Sequence, residues 1–202
     1  MKRFLSVALL ACSLVAVSCN TYNNSTDDDW IYGKGNEYEP KTKVEQNLIS
    51  QFCTYSAAFS MGNTNEMKRF FYMDAIEYYK QYFPGLNDEE VLDEFFKMMT
   101  GDAMNTLYAL KDEGIDLSIY VEDVTNRIES GDEYLYVFDA RYRVSRVLDD
   151  TLRYLHSPFF DKVLAVSHNK GRNWSFINMI EEMPTILLMN YPQSIVDDVM
   201  KY

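Results

Sequence analysis

The chain contains three cysteines and two histidines, the residue types most often used as nucleophiles, bases or metal ligands. A zinc site built on His156 and His168 would also need an acidic cluster, and the sequence pattern shows none. The chain has no glycine-rich phosphate loop, no Gly-x-Ser-x-Gly elbow and no HExxH sequence. From motifs alone we therefore predict no catalytic residue, no metal site and no cofactor.

The N-terminus is typical of a secretory signal: a basic start, Met1 to Arg3, precedes an apolar run from Phe4 to Val17. The run is too short to span a bilayer comfortably and ends in small residues. These small residues, directly before Cys19, resemble the lipobox of bacterial lipoproteins, although Ala16 stands where that family usually has leucine. The resemblance implies removal of residues 1–18 and a membrane anchor through lipidation of Cys19. The alternative is an ordinary secretory signal in which Cys19 is incidental.

Residues 19–40 are rich in Asn, Asp, Ser, Thr, Tyr and Gly and have no periodic apolar face. Such a segment cannot offset the entropy cost of ordering, so we predict a disordered acidic tether. Within it, Ser25 to Asp29 resembles the acidic export signal of some Gram-negative surface lipoproteins. That resemblance implies an outer-membrane protein exposed at the cell surface. A solvated linker on a periplasm-facing protein is the alternative.

Charge and cysteine content limit the functional classes. Loss of residues 1–18 removes two of the 19 basic side chains and none of the 31 acidic ones, which leaves a formal charge of −14. An acidic domain repels phosphate backbones, so we predict no nucleic-acid partner. If Cys12 leaves with the signal and Cys19 is lipidated, only Cys53 remains as a thiol. No intrachain disulfide is then available, and the fold must depend on its core.

The segment from Glu133 to Val147 is the clearest structural signal. Aromatic and apolar residues alternate with charged or polar ones, which predicts a long strand with its aromatic face inward and its charged face outward. The inward set is Tyr134, Tyr136, Phe138, Ala140, Tyr142 and Val144, and the outward set is Asp139, Arg141, Arg143 and Ser145.

Helical patterns precede this strand and further strands surround it. Apolar spacings of three and four predict helices over residues 41–61, 67–82 and 87–99, with an interruption at Gly101 before one more helical piece. Strands are expected at 115–122, 152–156, 160–168 and 172–180, followed by a short C-terminal helix. Helices followed by a meander indicate an α+β fold with a curved antiparallel sheet of about four strands. Over residues 41–180 this order resembles the NTF2-like superfamily, with the cystatin-like arrangement as a neighbour, and we assign 41–202 to one such domain.

NTF2-like folds hold a cone-shaped cavity between sheet and helices, and some members are isomerases or dehydratases. The resemblance implies candidate pocket residues, namely Tyr55, Asp74, Tyr78, Tyr136, Tyr142 and His156. No position matches an isomerase motif residue by residue, so no catalytic role is transferred. The alternative for the tyrosines is core packing, and for Asp74 it is a helix cap or break.

Residues 167–174, Ser-His-Asn-Lys-Gly-Arg-Asn-Trp, resemble the Asp-box hairpin of sialidases and several secreted proteins, with Asn169 in place of the aspartate. An Asx side chain can bond the turn backbone, Gly171 supplies positive φ and Trp174 packs beneath. In those families the box is a folding device remote from catalysis.

These features favour a lipid-anchored, non-enzymatic binding or accessory module with a small apolar ligand or a protein as partner. The alternative from another class is a small-molecule enzyme that uses the cone cavity. A third hypothesis is assembly through the exposed sheet face.

Overall fold

The computed structural model describes residues 37–112, 117–144 and 162–201. The fold is α+β, as predicted. Its helices are α1 (Lys43–Ser60), α2 (Thr64–Lys68), a 3-10 turn (Met73–Ala75), α3 (Ile76–Lys80), α4 (Asp88–Asp112), α5 (Met183–Leu188) and α6 (Gln193–Met200). Its strands are β1 (Leu117–Ser130), β2 (Glu133–Val144), β3 (Lys162–Ser167) and β4 (Ser175–Asn178). The predicted strand 152–156 and residues 1–36 lie outside the described ranges.

Helix starts follow the capping signals of the sequence. Asn87 accepts from the Glu90 amide at 3.1 Å, and the Glu90 carboxylate accepts from the Asn87 amide at 2.8 Å, so the predicted capping box is confirmed. The Asn63 side chain caps α2 by accepting from the Glu66 amide at 3.2 Å, without the reciprocal bond. The predicted interruption at Gly101 is wrong, because α4 continues through it to Asp112. One glycine weakens a helix by only about 1 kcal/mol relative to alanine, which packing can offset.

The four strands form one antiparallel sheet in the order β1-β2-β3-β4. Ala165 of β3 pairs with Tyr136 on one side and with Phe176 on the other, which brings these positions to one face. β1 is longer than the sequence pattern predicts and runs to Ser130. Its pairing with β2 shifts register twice, once between Val121 and Asp123. Such bulges break the alternation that a sequence reading depends on.

The face that carries Tyr136 and Phe138 packs against α1, and the predicted inward aromatic face is confirmed there. Phe52 of α1 lies with its ring centroid 4.8 Å from that of Phe138 and 5.4 Å from that of Phe176. In both pairs the ring planes are nearly perpendicular, which matches the preferred edge-to-face geometry of aromatic pairs. The interior between α1 and the sheet is therefore built of rings in direct contact.

The opposite face of β2 differs from the prediction of a charged outward surface. Leu135 and Val137 are buried as completely as Tyr136 and Phe138. α6 covers this face: the Asn126 side chain, on the strand position paired with Val137, donates to the Asp198 carbonyl oxygen at 2.8 Å. At Asp139 and Arg141 this face is charged and partly exposed. With α1 on one face and α6 on the other, the sheet lies between two helical layers.

Candidate functional site

The structure describes the side chains of four candidate pocket residues, and these four do not share one site. Tyr55, Asp74, Tyr78 and Tyr136 each have a different set of neighbours. Tyr142 pairs with Ile119 in the β1–β2 ladder, but its side chain lies outside the described residues. His156 and the lipidation residue Cys19 lie outside the described ranges altogether.

Tyr55 and Tyr136 are core residues. The ring of Tyr55 stacks on that of Phe176 at 5.5 Å, and burial raises the pKa of its hydroxyl well above the ordinary value. Tyr136 packs against Trp174 at 5.2 Å and donates its hydroxyl to the Glu129 carboxylate. Burial first, and then that hydrogen bond, raises the pKa of Tyr136. Core packing, the alternative reading of these tyrosines, describes their surroundings.

Tyr78 lies on the outer side of α3. Its hydroxyl is 3.0 Å from that of Tyr82, and this hydrogen bond, with lesser contributions from burial and nearby charges, raises the pKa of Tyr78 to about 12. Its ring meets that of Tyr79 edge to face at 5.5 Å. A phenol with such a pKa stays protonated at neutral pH, so it can act in hydrogen bonding but not as a base.

Asp74 belongs to a cluster of titratable side chains that the sequence did not predict. His168 Nδ1 lies 2.7 Å from Glu133 Oε2, and His168 Nε2 lies 3.4 Å from Asp74 Oδ2. One imidazole thus lies between two carboxylates. The three side chains are between 37% and 49% exposed, so a ligand can reach them.

Two tyrosines complete this group. Tyr191, in the loop between α5 and α6, donates its hydroxyl to Glu133 Oε2 at 3.1 Å. The ring of Tyr72 lies nearly parallel to that of His168, with centroids 6.4 Å apart. We call Tyr72, Asp74, Glu133, His168 and Tyr191 the His168 cluster.

The Tyr72 hydroxyl is the unusual member of the His168 cluster. Tyr72 is only 1% exposed, and its hydroxyl lies near Tyr191 and Asp74 without a partner in full hydrogen-bond geometry among the described residues. Burial, followed by the nearby Tyr191 and Asp74, raises its pKa far above the ordinary value. A buried hydroxyl without a partner costs about 1–3 kcal/mol, so its retention calls for a physical reason.

The Asp-box-like hairpin positions His168. Ser167 Oγ accepts from the Gly171 amide at 2.9 Å, and Asn169 Oδ1 accepts from the amides of Arg172 and Asn173 at 3.1 and 2.8 Å. Gly171 has φ of 75°, as the motif predicts. The turn geometry expected from the sequence is confirmed. It fixes the backbone on both sides of His168, which follows directly after β3.

A second polar cluster lies where the chain enters the domain, and we call Tyr38, Lys41, Glu45 and Arg127 the Glu45 clamp. Glu45 is 2% exposed, and its carboxylate accepts from Arg127 Nε at 2.7 Å, the Lys41 amide at 2.6 Å and the Tyr38 hydroxyl at 3.0 Å. Burial alone would raise the pKa of Glu45, but these hydrogen bonds outweigh it and lower the pKa. The Tyr38 amide also donates to the Val121 carbonyl oxygen.

The two clusters differ in their cations. The Glu45 clamp contains a guanidinium, and elsewhere carboxylates pair with lysine, as Asp88 does with Lys80 at 2.6 Å. Within the described ranges, the carboxylates of the His168 cluster pair with no lysine or arginine. No group of three or more His, Cys, Asp or Glu side chains in these ranges has the arrangement of a metal site. The cluster is therefore an acceptor-rich surface, suited to ligands that donate hydrogen bonds.

In the sequence, Asp74 is unusual within an aromatic run and His168 lies in a recognisable hairpin, but no local pattern connects the two. Glu133, Tyr72 and Tyr191 carry no local signal of a shared site. They come from the start of β2, the segment before the 3-10 turn and the C-terminal loop, so only the tertiary fold brings them together.

Comparison of the chain with protein-family models, curated proteins and solved structures gives no match. Across the described ranges, none of the helices combines the length and apolar character that crossing a membrane requires.

Proposed function

We propose that the chain is a lipid-anchored cell-envelope protein whose folded domain acts as a non-enzymatic binding or accessory module. The anchor is the lipid on Cys19, and the location is the outer membrane, with the domain exposed at the cell surface. The lipobox-like residues before Cys19 and the acidic segment Ser25 to Asp29 support this proposal.

One structural observation favours a binding module over an enzyme with a cone cavity. Where such a cavity would lie, between α1 and the sheet, the rings of Phe52, Tyr55 and Phe176 are in mutual contact. Glu45 is the buried carboxylate nearest to these aromatic residues in sequence, and it already forms an ion pair with Arg127. These side chains occupy the space that a substrate would need.

We also propose that the fold is an NTF2-like arrangement. The helix-first order and the four-stranded meander support it. The cover that α6 forms on the second face is an addition that the resemblance did not predict. Experimental coordinates with another strand order would contradict the assignment.

The anchor is tested by replacing Cys19 with alanine. Wild-type protein should sediment with membranes and incorporate an alkyne-labelled fatty acid. Cys19→Ala should move to the soluble fraction and lose the label, because the thiol that carries the lipid is gone.

Cys53→Ala is the matched control, since Cys53 is the cysteine that lies within the described ranges. This variant should stay membrane-bound and labelled. If Cys19→Ala remains in the membrane fraction, the lipid anchor is not the means of attachment and the proposed function fails in its first part.

A further inference from the structure

We propose that the His168 cluster is a binding site for the guanidinium group of an arginine on a partner protein. This inference rests on the proposed function, a binding module, and names the chemistry of its partner. It is carried by three observations: the net negative charge of the cluster, the buried Tyr72 hydroxyl that the described residues leave without a partner, and the exposure of the His168 ring.

The His168 cluster holds more negative charge than its one imidazole can balance. Neutral histidine has one N–H donor, yet both ring nitrogens of His168 face carboxylates, at 2.7 Å from Glu133 and 3.4 Å from Asp74. Two carboxylates share this one imidazole, so the three side chains together carry a net negative charge whether the ring is neutral or cationic. The longer contact, to Asp74, is the weaker one. An added cation at Asp74 would compensate its charge.

The Tyr72 hydroxyl supplies the second, independent observation. It is buried beside the Asp74 carboxylate and has no hydrogen-bond partner among the described residues. An N–H group that enters at Asp74 can donate to this hydroxyl oxygen as well. The bound ligand would then relieve the cost of a buried, unsatisfied hydroxyl.

The shape of the cluster favours guanidinium over ammonium. One face of the His168 ring lies over Tyr72, while nearly half of the His168 side chain remains exposed. A planar guanidinium can stack on an aromatic ring while it donates through two parallel N–H groups to a carboxylate. An ammonium is a compact, strongly hydrated charge and cannot do both. The acidic character of the whole chain attracts cationic partners to this surface.

The test is a titration of the full chain, held in detergent micelles, with N-acetyl-argininamide, whose single charge is the guanidinium. Amide chemical shifts of residues in the His168 cluster should change and saturate. The isosteric but uncharged N-acetyl-citrullinamide should leave them unchanged. N-acetyl-lysinamide should bind several-fold more weakly than the arginine compound.

Two charge-matched double variants separate this site from general attraction to an acidic protein. Asp74→Asn/Glu133→Gln and Glu39→Gln/Glu89→Gln each remove two negative charges, and the second pair lies at exposed positions. The first should weaken binding at least tenfold, and the second should bind as wild type does. Equal affinity in both variants, or no saturation with the wild-type protein, would overturn the proposal.

Folding and anchoring are controlled separately. If thermal unfolding shows that the first double variant is unstable, Asp74→Asn alone replaces it, because Asp74 is partly exposed and its contact to His168 is the longer of the two. Cys19→Ala should leave arginine binding unchanged. A failed anchor with intact arginine binding would refute the proposed location and not this site, and the reverse result would refute the site alone.

Discussion

The Glu45 clamp and the His168 cluster contain similar residue types but differ in the ratio of carboxylates to hydrogen-bond donors. In the clamp, one buried carboxylate receives hydrogen bonds from a guanidinium, a hydroxyl and an amide. In the His168 cluster, two half-exposed carboxylates share one imidazole, and a buried hydroxyl has no partner among the described residues. A satisfied buried network stabilises a fold, whereas an unsatisfied one at the surface is available to a ligand.

The position of each cluster agrees with this division. The clamp joins α1 to β1 and holds residues 37–41 against the domain, at the end of the segment assigned to the tether. A force applied to the tether would therefore reach the folded domain at the Glu45 clamp. The His168 cluster lies at the start of β2 and the end of β3, where a hairpin presents it outward.

The largest expected effect comes from breaking the clamp. Arg127→Met leaves Glu45 buried without its cation, and we expect a loss of about 3 kcal/mol in the free energy of unfolding. Asp74→Asn should cost less than about 0.5 kcal/mol, because surface contacts of this kind contribute little. Chemical denaturation of both variants measures the difference.

Glu45→Gln/Arg127→Met is the control for this first prediction. Removing both charges should recover part of the loss, since no uncompensated carboxylate remains. If Arg127→Met and Asp74→Asn destabilise the protein equally, the distinction between a structural and a ligand-facing cluster does not hold.

The next effect concerns the hairpin that presents His168. Gly171 has φ of 75°, and a Cβ there would lie 2.6 Å from Val44 Cγ1 and 3.1 Å from the Trp174 ring. We expect Gly171→Ala to cost roughly 2 kcal/mol through strain and steric conflict, and to weaken N-acetyl-argininamide binding as His168 shifts. Thermal unfolding and the arginine titration test the two parts.

Gly131→Ala is the matched control, because Gly131 has φ of 65° and a Cβ added there would meet no described atom within 4 Å. This substitution imposes the backbone strain of a positive φ without the steric clash, so the free energy of unfolding should fall by about 1 kcal/mol. Equal losses at both glycines would show that α1 yields to the added methyl group.

Local signals in the sequence predicted local structure well. The capping box at Asn87 and the hairpin at Asn169 are both confirmed. They could be predicted because their hydrogen bonds join residues only a few positions apart. The burial of both faces of β2 was missed, although the unbroken apolar run from Tyr134 to Phe138 is typical of a strand covered on both sides. Alternation from Asp139 onward dominated that interpretation.

The candidate site was predicted only in one member, Asp74. Its partner His168 is 94 positions away, and Glu133 lies between them in sequence, so no motif spacing connects the three. The contact between Asp74 and His168 depends on how the 3-10 turn packs beside the end of β3. Such an arrangement follows from tertiary packing, which periodicity and composition do not specify.

The smallest expected effect on stability is also the sharpest test of the comparison. Tyr72→Phe removes a buried hydroxyl that has no partner among the described residues, so the free energy of unfolding should change by less than about 0.5 kcal/mol, or rise. Tyr136→Phe, whose hydroxyl donates to Glu129, should cost about 1 kcal/mol. Denaturant unfolding of both variants, beside the arginine titration, gives the answer: Tyr72→Phe should weaken binding while Tyr136→Phe leaves it unchanged. If the two variants lose the same stability, the Tyr72 hydroxyl is already satisfied in the free protein, and the His168 cluster is a second structural clamp.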